Sequence, residues 1–226
     1  MDLTFGKLIL LAVLIVLIRP LMRILFCLLA RTVLRGWLTR VGATALGEQS
    51  DSIHLEPRPL HEWKDAGAVE AQAAPLAARG FQDAGIQAVR EMPGVVVRFL
   101  VQTDERVAAC IYEHPRIGTW LDLVCSYQDG TGATYSTSKP TGLDTRPGQQ
   151  KANAPELGSA ALYERLLRER PTGDLEEWTV ENVAGKFEAA YAREMNWRRN
   201  KGISADEVAR NIKSDFSESL ATEHSG

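Results

Sequence analysis

Residues 119–127 read TWLDLVCSY, and this stretch decides the fold. Its odd positions carry Leu121, Leu123, Cys125 and Tyr127, whereas its even positions are mixed in polarity. A period of two, rich in β-branched and aromatic residues, is typical of a strand with one face covered. The stretch therefore predicts one strand of an antiparallel sheet.

The same period extends to both sides of this stretch. Short groups of turn-forming residues, such as Met92-Pro93-Gly94 and His114-Pro115-Arg116, separate the alternating segments. Connections this short join antiparallel neighbours, so the sequence predicts a five-stranded meander. The predicted strands are 85–91, 95–102, 106–113, 118–128 and 132–138.

Helices are predicted on both flanks of the meander. An alanine-rich segment, 60–79, favours a helix that breaks near Pro75 and ends at Gly80. Three more helices are predicted: one capped by Ser159, one over 180–200, and one that begins at a capping box of Ser204 and Glu207. The fold class predicted is α+β, with helices packed on the sheet and an N-terminal transmembrane helix before it.

The amino-terminal segment carries the membrane prediction. Residues 8–18 are all apolar, and extension to 3–22 gives about 20 residues, the length that a transmembrane helix needs. Lys7 and Arg19 lie close enough to its ends to reach the interface. A stripe of basic residues then predicts a helix at the membrane interface, with one aromatic residue at headgroup level. These membrane-interface residues are Arg19, Arg23, Arg31, Arg35 and Trp37.

A cleaved signal peptide is the main alternative, but arginines and Pro20 follow the apolar stretch where small residues should prepare cleavage. The sequence thus predicts a single-pass protein of the inner (cytoplasmic) membrane, and the arginines after the span favour a cytoplasmic soluble domain. The predicted organisation is an anchor with a basic amphipathic helix (1–40), a linker (41–59), a soluble domain (60–220) and a frayed tail (221–226).

The charge distribution indicates which partners to expect. Residues 1–40 hold six basic residues against Asp2, while the remainder holds 20 basic and 28 acidic residues. The basic, apolar start favours a lipid bilayer as partner, and the acidic remainder argues against nucleic acid. Another protein of a membrane complex is a further expected partner.

The sequence contains no recognisable nucleophile–base pair, metal cluster or phosphate loop, so no catalytic residue, metal or cofactor is predicted. The first hypothesis is a non-enzymatic binding or accessory module. The second is an enzyme whose site lies between sheet and helices and uses Asp122, His114 or Arg146. The third is an exported domain that protects the envelope, which a disulfide between Cys110 and Cys125 would support, although free core cysteines are the favoured interpretation.

Four other groups invite a functional interpretation, and each has a simpler structural one. They are Glu113-His114 in a turn, the acids Asp122, Asp129 and Asp144, the Asp129-Gly130-Thr131-Gly132 turn, and the basic run 197–201 at a helix end. His54 and His61 are interpreted as exposed loop histidines, because no third ligand lies near them in the sequence.

Overall fold

The computed structural model describes residues 31–213, whose contacts divide the chain into two units. One unit comprises Met1–Leu46 with Ile203–Gly226, and the other comprises Gly47–Gly202. The elements, in chain order, are α1 (31–47), β1 (Leu55–Pro57), α2 (Ala66–Ala77), β2 (Gln82–Val89), β3 (Val96–Gln102), β4 (Val107–His114), β5 (Gly118–Ser126), β6 (Gly132–Ser136), β7 (Gln149–Asn153), α3 (Ser159–Glu169), α4 (Val183–Lys201) and α5 (205–213).

The Gly47–Gly202 unit is α+β and is built on one seven-stranded mixed sheet. The strands follow one another in sequence order; each pair from β1–β2 to β5–β6 is antiparallel, and β7 is parallel to β6. A parallel pair needs a connection of about a dozen residues or more, and the loop 137–148 provides it. The prediction of a five-stranded antiparallel meander after a transmembrane helix is therefore wrong.

The two strands that the sequence did not predict are the edge strands. β1 has only three residues and ends with Pro57, while β7 reads Gln-Gln-Lys-Ala-Asn. Neither has the alternation of apolar residues that marks a strand with a buried face. The predicted linker 41–59 accordingly contains the end of α1 and the whole of β1.

Helices cover both faces of the sheet. On one face, called the helix-pair face here, α2 and α3 pack on alternate residues of the central strands; on the other, the α4 face, α4 packs on the residues between them. The alternation of β-strand side chains divides the apolar residues between two cores. Leu100, Ile111, Leu121 and Leu123 lie in the first core, and Val97, Phe99, Val101 and Cys110 lie in the second.

Helix α2 begins and ends at recognisable signals. The Asp65 carboxylate accepts the Ala68 N–H at 2.9 Å, which caps the first turn. At the other end Gly80 has a φ of 84°, and the Phe81 N–H donates to the Leu76 carbonyl at 3.2 Å. This confirms the predicted glycine terminator. Pro75 lies inside the last turn of the helix and does not break it.

In the smaller unit, the start of α5 confirms the predicted capping box. The Ser204 N–H donates to the Glu207 carboxylate at 2.9 Å, and the Glu207 N–H donates to the Ser204 hydroxyl at 3.2 Å. Gly42 of α1 faces this turn, because an added Cβ would lie 3.1 Å from Ile203 and from Val208.

The membrane predictions are corrected at this point. Between residues 31 and 213, no helix is both long enough and apolar enough to cross a bilayer. The structure therefore contradicts the single-pass, inner-membrane prediction. The segment 3–22 on which that prediction rested lies outside the described residues.

Cys110 and Cys125 are both free and buried. Cys110 belongs to the core on the α4 face, and Cys125 belongs to the core on the helix-pair face. Side chains on opposite faces of adjacent strands point away from each other, so these two cannot form a disulfide without a change of register. The structural support for an exported, disulfide-bonded domain is thus lost.

Candidate functional site

A cavity of about 390 Å³ opens on the helix-pair face, at the end of the sheet next to the start of α2. Its floor contains Ala88 and Val96, which are directly paired neighbours on β2 and β3. Its walls come from β1, from the Pro93-Gly94 turn, from the segment 58–64 and from the end of β4. The volume lies within the range of small-ligand pockets, about 300–1,000 Å³.

The most buried charged group in this cavity is Glu113, which is only 4% exposed. Its Oε1 lies 3.2 Å from Nε2 of His61, and its Oε2 accepts the backbone N–H of Lys64 at 2.6 Å. Both carboxylate oxygens are therefore engaged, as a buried charge requires. The His61 side chain is 18% exposed and lines the same cavity.

The local sequence explains why a carboxylate is tolerated here. Glu113 lies on the helix-pair face, beyond the apolar residues of β4, and α2 begins just after Lys64. The segment that leads into α2 presents the Lys64 N–H to Glu113, and the positive end of the helix dipole favours an anion nearby. Trp63 meets the His61 ring edge-on at 4.6 Å and packs against the first core.

The carboxylate also fixes the orientation of His61. A histidine that donates its Nε2 hydrogen to a carboxylate presents Nδ1 as an acceptor when neutral and as a donor when protonated. Among the described residues, the one hydrogen bond of the His61 ring is that to Glu113. Nδ1 is thus left for a ligand.

Two cations line the cavity without being neutralised. Arg90 forms an ion pair with Glu56 at 2.7 Å. In contrast, the side chains of Arg58 and Lys64 are exposed and have no hydrogen bond or ion pair with any residue in the described range. Glu62, also exposed, is the one acid of the lining without a hydrogen bond or ion pair in the described range. Arg58, Lys64 and Arg90 stand against Glu56, Glu62 and Glu113, so the formal charges of the lining cancel, but the Arg58 and Lys64 side chains remain without an acidic partner.

The lining limits the chemistry that is available. It contains no serine, threonine, cysteine or tyrosine, so His61 has no hydroxyl or thiol to activate. Among residues 31–213 no group of three or more His, Cys, Asp or Glu side chains is arranged to hold a metal ion. The arrangement offers cations and an oriented imidazole around an apolar floor.

Sequence reasoning missed this site for an identifiable reason. It considered Glu113 beside His114, whereas the carboxylate meets His61, which is 52 positions earlier in the chain. His61 was interpreted as an exposed loop histidine, and the structure places it partly buried. The one available signal was Glu113 itself, a charged residue at an inward-facing position of a strand.

Asp122 lies on the opposite, α4 face and has a structural role there. Its carboxylate accepts the Ser136 hydroxyl at 2.5 Å, and Ser136 lies 2.7 Å from the hydroxyl of Ser138. Burial raises the pKa of Asp122, while the hydrogen bond from Ser136 and the charge of Lys151 lower it in part. The network satisfies the carboxylate between neighbouring strands.

The three residues proposed for an enzyme do not converge. Asp122 and His114 face the same side, but Asp122 lies opposite Cys110, which is four positions, or about 13 Å, from His114 along β4. Nδ1 of His114 accepts the N–H groups of Arg116 and Ile117, and burial and the nearby cations lower its pKa. Arg146 lies in the 137–148 loop, 3.9 Å from Glu194 of α4, and none of the three lines the cavity.

The remaining candidate groups have structural roles. Asp129 accepts the N–H of Thr131 at 2.9 Å and its hydroxyl at 2.7 Å, which confirms a hairpin turn. In the basic run at the end of α4, Lys201 pairs with Asp144 at 2.9 Å, and Arg199 pairs with Asp51.

The membrane-interface residues divide into two groups. Arg19 and Arg23 lie outside the described residues. Arg31 and Trp37 are exposed on α1, and Arg35 pairs with Asp206 of α5 at 3.2 Å.

No protein-family model, curated protein or solved structure matches this chain.

Proposed function

We propose that this protein is a non-enzymatic binding module that takes a carboxylate-bearing ligand in the cavity at the end of the sheet. The observation that carries the proposal is Glu113, a buried carboxylate that holds His61 toward the cavity that Arg58 and Lys64 also line. Nothing in the folding of this segment requires those two cations, since neither stabilises a described contact.

The two cations without an acidic partner favour an anionic group on the ligand. A carboxylate between Arg58 and Lys64 would form charge-assisted hydrogen bonds, which are stronger than neutral ones. Glu113 is not the anion for these side chains, since its partners are the His61 ring and the backbone N–H of Lys64. His61 adds a third polar contact through Nδ1.

The floor favours a small apolar body next to that anionic group. Ala88 and Val96 have small side chains, so they leave space in the cavity that longer side chains at these two positions would fill. An apolar cavity with a few convergent polar groups is the usual form of a small-ligand site. Because the lining holds no hydroxyl or thiol for His61 to activate, binding without turnover is the function that these residues support best.

The test is a titration of the full chain, labelled with ¹⁵N, with benzoate, and in parallel with benzamide. The two probes have the same shape, but only benzoate carries the charge. Benzoate should shift the amide signals of residues 58–64 and 93–96, and benzamide should not.

Arg58→Gln and Lys64→Gln should each weaken benzoate binding by about three- to tenfold, as expected for a partly exposed charged contact. The matched control is Arg193→Gln, which removes an exposed arginine of α4 and should leave the affinity unchanged. Equal binding of benzoate and benzamide, or equal affinity in the Arg58, Lys64 and Arg193 variants, would refute the proposal.

A further inference from the structure

The two edges of the sheet differ in a way that points to a second binding surface. At β1, the Arg58 N–H donates to the Ile86 carbonyl and the Arg90 N–H to the His54 carbonyl. In an antiparallel ladder, alternate residues bond to the partner strand. The backbone groups of Leu55 and Pro57 therefore point away from β2. The Leu55 N–H is taken by the Glu188 carboxylate of α4 at 2.6 Å, and Pro57 has no N–H. This edge is closed to another strand.

At β7 the edge is open. The Gly132 N–H donates to the Gly148 carbonyl and the Ala154 N–H to the Ser136 carbonyl, which fixes the phase of the parallel ladder with β6. The backbone groups of Gln150 and Ala152 therefore bond to β6, and those of Lys151 and Asn153 point away from the sheet. Nowhere in residues 31–213 does another group bond to them.

We propose that the outer edge of β7 binds an extended segment of a partner protein, which adds to the sheet as an eighth strand. Strand addition uses the unpaired N–H and C=O groups of an exposed edge for affinity. The structure closes one edge with a carboxylate and a proline, and it leaves the other with donors and acceptors on alternate residues.

The charge at this edge identifies the kind of partner. Lys151 is exposed at the middle of β7, so a strand with an acidic residue opposite it gains a favourable cross-strand pair. A second copy of the chain is disfavoured. The antiparallel register with the longest overlap would place Lys151 opposite Lys151, and like charges directly opposite are destabilising.

The experiment is a selection from a displayed library of random dodecapeptides on the full chain, after which the affinity of each retained peptide is measured for wild type and for Lys151→Pro. That substitution removes the outward N–H and leaves the β6–β7 ladder intact, because residue 151 does not donate to β6. Thermal unfolding of the variant checks that it remains folded. Retained peptides should alternate β-formers with an acidic residue.

Binding of a retained peptide should fall at least about fivefold in Lys151→Pro, the effect of one lost backbone hydrogen bond and the clash of the ring. Lys151→Glu keeps the N–H but reverses the charge, so it should weaken acidic peptides and favour variants in which lysine replaces the acid. Arg58→Gln should have no effect, which separates this edge from the cavity.

Two results would overturn the proposal. One is a selection whose peptides bind wild type and Lys151→Pro equally. The other is a chain that sediments as a dimer, with the dimer lost in Lys151→Pro, because the occupant of the edge would then be a second copy.

Discussion

Replacement of Glu113 tests the centre of the candidate site, because two variants separate its charge from its hydrogen bonds. Glu113→Ala removes both acceptors and leaves the Lys64 N–H and the His61 ring without a partner. Glu113→Gln keeps the shape and one carbonyl oxygen, which can still accept the Lys64 N–H. The two variants should therefore differ.

The magnitude follows from the contacts. Glu113 is 4% exposed and makes hydrogen bonds of 2.6 Å to Lys64 and 3.2 Å to His61. A hydrogen bond to a charged group contributes about 1.5–3 kcal/mol, so Glu113→Ala should lower the free energy of unfolding by about 3–5 kcal/mol. Glu113→Gln retains one of the two bonds and should cost about half as much.

The assay is thermal unfolding of the full chain followed by tryptophan fluorescence, since Trp63 lies against the His61 ring. At about 2–4 °C per kcal/mol for a domain of this size, Glu113→Ala should lower Tm by about 10 °C. Glu62→Ala, an exposed acid of the same lining, is the control and should change stability by less than about 0.5 kcal/mol. If Glu113→Ala behaves like Glu62→Ala, then Glu113 does not hold the site together.

Three further substitutions test other parts of the structure. Burial raises the pKa of Asp122 above its ordinary value of 3.8, so the folded state holds this proton more tightly and Asp122 lowers stability as the pH rises through the folded pKa. Asp122→Asn should remove that loss, so in urea unfolding at pH 3, 5 and 7 the free energy of unfolding of the variant should rise relative to that of wild type as the pH increases. Equal pH profiles would contradict this prediction. Leu162→Ala empties a fully buried position in α3 and should cost about 2–5 kcal/mol in urea unfolding, with the exposed Glu164→Ala as control; a cost below 1 kcal/mol would contradict the packing. Ser204→Ala removes the hydroxyl that caps α5 and should lower its stability by about 1 kcal/mol, seen as faster amide hydrogen exchange in 205–213, while Ser204→Asp should retain protection.

The central strands could be predicted from the sequence because turn-forming residues separate their apolar segments, although the prediction of one covered face is wrong, since helices cover both faces. Four of the predicted strands, 95–102, 106–113, 118–128 and 132–138, agree with β3 to β6 within a few residues. In this part of the chain, the pattern of apolar residues and the turn-forming residues indicate the same strand boundaries. The edge strands could not be predicted, since an edge strand is held by pairing with one neighbour and needs no apolar period.

The site was harder to predict than the fold. The Glu113–His61 contact joins residues far apart in the chain, and no local pattern shows that the segment 58–64 crosses the sheet. Sequence spacing favoured Glu113 with its neighbour His114, although adjacent residues on a strand face opposite sides. That rule excludes the wrong partner, but it cannot supply the right one, because the register and the path of the loop are set by tertiary packing.

The cavity lies where an irregular segment, and not a helix, covers the sheet. This part of the sheet is one row of neighbours in register across four strands, and Lys64, just ahead of α2, bonds to the last of them. The row consists of Glu56, Ala88, Val96 and Glu113. An irregular segment covers the row incompletely, since it lacks the side-chain spacing of a helix. The polar residues that the fold could not bury under α2 thus line an open space, and this is why the binding groups lie here and not between the sheet and α4.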